Sequence, residues 1–188
     1  MEPKSQVLFW RRLDMPGMER LTLTVSDNAI AAVSTLICVE DGGFRLDYRW
    51  TLSRNWQTRS VEVEKWSAGE NRRLHIERAG RGWMVDGIRR TDLEEADEPD
   101  LSVTPFCNTL PVQHMMRENL ASFTLETCYI DATSMRVARS RQKYEQVTEQ
   151  HLCYIDLGLS IGFEADLNVD PMGLIVSYQN LFERVASD

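Results

Sequence analysis

The 188-residue chain is short of nearly everything that announces a reaction. It has three histidines and four cysteines. Cys38, Cys107, Cys128 and Cys153 form no C-x-x-C pair, which excludes a zinc knuckle or dithiol redox motif and leaves four free thiols, read as small core hydrophobes. His75, His114 and His151 are scattered, and only folding could bring His114 to Cys107 as a nucleophile pair. G-x-S-x-G, H-E-x-x-H and P-loop motifs are absent, and Gly80-Arg-Gly82 lacks the third glycine of a dinucleotide site. Positive charge is scarce: 21 Lys and Arg against 29 Asp and Glu, a net charge of −8. That balance argues against nucleic acid and, more weakly, against anionic lipid. No uncharged apolar run approaches the ~20 residues of a membrane-spanning helix, and the N-terminus shows no signal peptide, so a cytoplasmic protein is expected. Neither repeats nor linkers divide the chain, which reads as one domain over residues 1–188.

What is present is alternation. Leu21, Leu23 and Val25 alternate with Arg20, Thr22 and Thr24; Leu46, Tyr48, Trp50 and Leu52 alternate with Arg45, Asp47, Arg49 and Thr51. Val61–Val63, Phe123–Leu125 and the run from Phe163 to Val169 repeat the pattern, each reading as a strand with one buried and one wet face. Asp27-Asn28, Asp41-Gly42-Gly43, Asp86-Gly87 and Pro171-Met172-Gly173 supply turns. The expectation is a mainly β fold, an antiparallel meander curling toward a barrel. No long amphipathic helix is expected, only a short helical turn near Asn180–Val185.

Two segments break the alternation. Asp100 to Val112 is punctuated by Pro105 and Pro111, which push Thr104 and Leu110 toward extended backbone, and reads as a specified connection. Asp92 to Asp100 carries six acidic side chains but lacks the order and glycine of a calcium loop, so it reads as a solvated loop.

Taken in order, the opening Trp10-Arg-Arg-Leu-Asp-Met-Pro-Gly-Met-Glu19, Tyr48, Trp56-Gln-Thr-Arg59, Gly82-Trp83, Asp86-Gly87, the Thr104-Pro-Phe-Cys-Asn-Thr-Leu-Pro111 segment, Tyr144, the run Phe163–Asp170, Gly173-Leu174 and Tyr178 resemble the bacterial family named Putative glycolipid-binding. The likeness covers nearly the whole chain. It implies a single curved antiparallel sheet, an incompletely closed barrel around an apolar cavity, similar to the lipoprotein-carrier fold. The chain departs from the family pattern where the acidic run Leu93–Asp100 replaces a Gly-Cys segment, and where Cys107, Gln113 and His114 stand.

On that reading Tyr48, Trp50, Trp56, Arg59, Asn108 and Tyr144 are the candidate ligand-binding residues. Trp56 would offer an indole wall and Arg59 a guanidinium for a polar head; Asn108 would offer an amide. Asp100, Thr104, Pro105 and Pro111 would frame the mouth. The expected partner is an amphiphilic small molecule, glycolipid or other, with no cofactor, no metal, no catalytic residue and no integral membrane segment; homo-oligomerisation is left open. Two alternatives stand beside it. An enzyme would place a polar pair with perturbed pKa at the cavity floor, whereas an interaction module would be a packed barrel with an exposed apolar patch or edge.

Overall fold

The computed structural model describes residues 3–187. Its long strands are β1 (Lys4–Arg12), β2 (Gly17–Val25), β3 (Ile30–Cys38), β4 (Phe44–Leu52), β5 (Thr58–Ser67) and β6 (Glu70–Ala79), followed by the short β7 (Gly82–Val85) and β8 (Ile88–Arg90). After β9 (Glu98–Leu101) comes a helix, α1 (Thr109–Glu118), and then β10 (Ser122–Asp131), β11 (Arg136–Thr148), β12 (His151–Asp156), β13 (Glu164–Val169), β14 (Ile175–Tyr178) and β15 (Phe182–Ser187). All fifteen strands join one sheet, in the order β8 down to β1, then β15 down to β9. β15 pairs with β1, so the two halves of the chain meet in mid-sheet, while β8 and β9 are left as ends. The expected mainly β, curved, incompletely closed barrel is what forms. One pairing departs from the antiparallel rule: β9 runs parallel to β10.

The alternation decides which face is buried. In β4, Leu46, Tyr48, Trp50 and Leu52 are buried while Arg45 and Arg49 face water. β3 repeats this with Ile30, Ala32, Leu36 and Cys38 inside. Asp86 and Gly87 take positive φ angles of 50° and 78°, the left-handed pair that a tight hairpin between twisted strands requires.

The gap between the sheet's ends is closed by side chains rather than by a ladder. Arg78 on β6 donates to the Asp97 carbonyl (2.5 Å) and pairs with Glu98 (3.4 Å). Glu98 accepts from the Thr58 backbone N–H at 3.1 Å. Trp83 Nε1 donates to Ala96 O (2.9 Å), Arg90 to Val137 O (3.1 Å) and Lys65 to Thr133 O (2.5 Å). The acidic run is therefore not simply a solvated loop: Asp92 and Glu94 pair with arginines at the surface, but Glu98 and Asp100 are built into the molecule.

The Pro-punctuated stretch is the interior plug. From Leu101 to Val112 every residue but Ser102 is buried. It does not stay extended: Phe106–Asn108 is a 3-10 turn leading directly into α1, and Leu110 is helical. Pro111 lies in the first turn, where its missing N–H has no intrahelical partner to lose, so the proline fits the helix. The plug serves two apolar clusters. Phe106, Cys107 and Leu110 pack with Trp10, Trp50 and Leu46; Val112 and Met115 pack with Leu152, Leu167 and Ile175. The helical turn expected near Asn180–Val185 is instead a turn at Asn180 (φ 62°) followed by β15, because Phe182 pairs with Arg12 and Tyr178 across the sheet.

Candidate functional site

A cavity of about 230 Å³ opens at one rim of the barrel between the plug and strands β10 to β15. Asp100 at the end of β9, Asn108 in the plug, Gln142 on β11, Tyr154 and Asp156 on β12, Tyr178 on β14 and Phe182 on β15 line it, with Phe163 at the mouth.

A chain of hydrogen bonds forms the polar floor. Gln142 Nε2 donates to Asp100 Oδ2 (2.5 Å), and the Cys107 thiol donates to Asp100 Oδ1 (2.9 Å). Tyr144 O–H donates to Asn108 Oδ1 (2.8 Å) and lies 3.1 Å from Gln142 Oε1. Burial pushes the Asp100 carboxyl above its ordinary value; the Cys107 and Gln142 bonds oppose this, and the Asp156 charge adds to it. Burial, with the Asp100 charge, also raises Cys107 well above the usual thiol range, so this sulfur is a protonated donor and not a nucleophile. The wall is aromatic: Tyr154 meets Tyr144, Phe163 and Tyr178 at 5.4 to 6.0 Å between ring centroids, and Tyr178 continues to Phe182 at 6.3 Å.

Asp156 braces the mouth. Its Oδ1 accepts from the backbone N–H of Gly158 (2.8 Å) and Ser160 (3.0 Å), and its Oδ2 accepts from Tyr154 O–H (3.3 Å). The cavity lining contains two carboxylates, two amides and three tyrosines, and no Lys, Arg or His.

The residues expected from sequence fall in three places. Asn108 lines the cavity and Tyr144 stands one bond behind it. Tyr48 and Trp50 lie deeper, packed on Phe106 with centroids at 6.4 and 5.8 Å; Tyr48 reaches the lining only through Thr104 (3.2 Å). Trp56 sits in the β4–β5 turn with φ 60°, beside a separate hollow of about 130 Å³ shared with Leu110, Pro111 and His114, and Arg59 is exposed on the outside of β5. His114 packs on Phe123 (4.3 Å) and contacts Arg117, while Cys107 faces Asp100. Sequence reasoning missed Gln142, Tyr154, Asp156, Tyr178 and Phe182. The mixed polar and aromatic alternation of Ser140, Gln142 and Tyr144, and of Tyr154 and Asp156, was the available signal.

A larger depression of about 780 Å³ crosses the outer face of β3 to β6. Tyr48 is in its lining; of its charges, Arg45 pairs with Asp47 (2.5 Å) and Arg73 with Glu64 (3.0 Å), while Arg49 and Glu62 line it without an ion pair among the described residues. Among the described residues no helix is long and apolar enough to cross a membrane.

Comparison with known proteins places this architecture. The family model described as Putative glycolipid-binding matches residues 7–184. A crystal structure of a DUF1089 family protein from Pseudomonas aeruginosa is 30% identical, covering 90% of this chain and 92% of that one, with a TM-score of 0.78. A β-barrel-like protein of the unknown-function family DUF1849 from Brucella abortus shares the fold at 8% identity, covering 99% of this chain and 97% of its own, with a TM-score of 0.54. No curated protein matches the chain. The chain belongs to the family described as Putative glycolipid-binding.

Proposed function

We propose that this member of the family holds an amphiphile by its head, with an uncharged, hydroxyl-bearing head group seated in the cavity between Asp100, Gln142, Tyr154 and Tyr178. The observation that carries this reading is the lining itself, which has acceptors and rings but no cation. A carboxylate or phosphate head would be desolvated against Asp100 and Asp156 with nothing to neutralise it. Sugar hydroxyls donate to the carboxylates and amides, while the C–H face of a sugar lies against an aromatic wall. At about 230 Å³ the space suits one small head group and not an acyl chain, so the tail leaves through the mouth. The sequence-derived ligand residues enter unequally. Asn108 and Tyr144 belong to the floor, Tyr48 and Trp50 support it from behind, and Trp56 and Arg59 stand apart from it.

The test is native mass spectrometry of the protein with octyl glucoside below its micellar concentration, against dodecanoate and dodecyl phosphate. The glucoside is expected to be retained and the two anions lost, with Asp100→Leu weakening retention at least tenfold. Equal retention of the anions, or an unchanged Asp100→Leu variant, overturns the reading. Asp100 and Asp156 share the cavity, which gives the enzyme reading its specific observation. Release of octanol from the glucoside would favour it.

A further inference from the structure

The loop between β12 and β13, Leu157-Gly-Leu-Ser-Ile-Gly-Phe163, contains no charged residue. Leu157, Leu159, Ile161 and Phe163 are all exposed, Leu159 to 55% and Ile161 to 80%. Single exposed leucines need no explanation, but four in seven residues form a patch. The patch is not a slack loop. Besides the two bonds to Asp156, Leu157 N–H donates to Arg141 O (2.9 Å), Leu159 N–H to Ser140 Oγ (3.3 Å) and Phe163 N–H to Ser160 O (2.9 Å). Gly158 sits so close to β11 that a Cβ there would collide with Ser140 Oγ and the Arg141 nitrogen. The backbone is thus braced to hold apolar side chains in water, and the ordering that a contact would demand is already made.

The patch extends along one edge of the sheet. The β14–β15 turn and the β1–β2 loop follow, joined by Leu13 N–H to Leu181 O (2.9 Å), and Val39 follows with its N–H on Pro16 O (3.2 Å). Leu13 and Val39 are exposed as well. Around Val39 the charge is net acidic: Asp14 and Glu40 share the guanidinium of Arg12 (2.6 and 2.8 Å), and Asp41 is exposed beside them, while beside the loop the exposed Arg141 is balanced by Glu126 (3.6 Å). Ser160 and Phe163 of the loop also line the cavity, so the apolar rim is the cavity's mouth.

We infer that this rim is a membrane-contact surface. Leu159 and Ile161 enter the interface of an uncharged, zwitterionic bilayer and hold the cavity mouth against it. The acidic rim and the net charge of −8 select against an anionic surface. The partner is an apolar phase and not a polar protein face, because the loop presents side-chain carbon without a charged rim residue of its own. The inference stands on the loop and is independent of what fills the cavity.

The test is flotation of the intact protein with phosphatidylcholine vesicles, alongside Leu159→Ser/Ile161→Ser and Asp100→Leu. The wild type and Asp100→Leu are expected to float, and the double variant to bind roughly tenfold more weakly, since both lost side chains would otherwise leave water. Replacing a third of the lipid by phosphatidylglycerol should weaken binding. The inference is overturned if the wild type stays at the bottom at every lipid concentration, or if the double variant floats equally. It is also overturned if sedimentation shows the loop variant splitting a wild-type dimer that does not bind vesicles. Asp100→Leu separates the two readings: it removes the head-group site and leaves the rim intact.

Discussion

Glu19 is the residue whose burial is hardest to reconcile with its charge. It is 2% exposed, on β2, and faces the core. Tyr48 O–H (2.5 Å) and Ser34 O–H (2.7 Å) both donate to Oε1, while Oε2 has no partner among the described residues. Burial raises its pKa from 4.5 to about 7, against the opposing bonds from Tyr48 and Ser34. The folded state therefore binds this proton more tightly than the unfolded chain. Its contribution is full below about pH 4.5 and is lost progressively as pH rises to about 7. The upper bound is roughly 3 kcal/mol. Glu98 acts in the same direction, raised by burial to about 7. Glu19→Gln removes the titration while keeping an oxygen for Tyr48 and Ser34. Denaturant unfolding should show the variant at least as stable as the wild type at pH 8, with the difference falling or reversing at pH 5. A variant less stable by the same amount at both pH values would mean that packing, not the charge, decides this site.

At the scale of elements, the seam and the plug decide whether the sheet keeps its shape. Arg78 ties β6 to the chain entering β9 through Asp97 and Glu98, and lies over the Trp83 ring at 4.2 Å. Arg78→Met should destabilise the fold by about 2 kcal/mol, below the usual loss for a fully buried pair because the Arg78 side chain keeps some solvent. Adding Glu98→Gln should restore part of that loss, since the carboxylate stranded by the first change is then gone. Hydrogen exchange should report faster opening at β9 than at β3 or β4 in the single variant. The strands themselves were legible because one face meets the core and the other water, as Leu46 to Leu52 shows. The plug was less legible. Its buried residues include Thr104, Asn108 and Thr109, so hydrophobic spacing did not mark it, and Pro111 reads as holding Leu110 extended although it lies in the first turn of α1. The cavity was hidden for a related reason. Its floor and mouth use buried polar positions, Asn108, Gln142 and Asp156, which a reading based on buried apolar residues assigns to solvent.

At the scale of the whole molecule, the cavity lies between the plug and the β10 to β15 half of the sheet. One cluster joins β1 to β7 with the plug and the end of β10, the other joins α1 with β11 to β15, and Asp100, Asn108, Gln142 and Tyr144 form a polar floor beside both. A head group bonded to Asp100 from the plug side and stacked on Tyr154 or Tyr178 from the sheet side would add a tie between elements already packed through Val112, Met115 and the polar floor. Binding to the folded state alone stabilises by mass action, about 2.7 kcal/mol at a hundred times Kd. For a chain of this size that corresponds to a rise in Tm of roughly 5–10 °C. Differential scanning calorimetry with octyl glucoside should show that rise in the wild type and in Leu159→Ser/Ile161→Ser, and none in Asp100→Leu. A rise that also vanished in the loop variant would place the ligand on the apolar rim instead of inside. A wild-type Tm unmoved by glucoside would remove the hydroxyl-bearing head from the reading while leaving vesicle contact at the rim untouched.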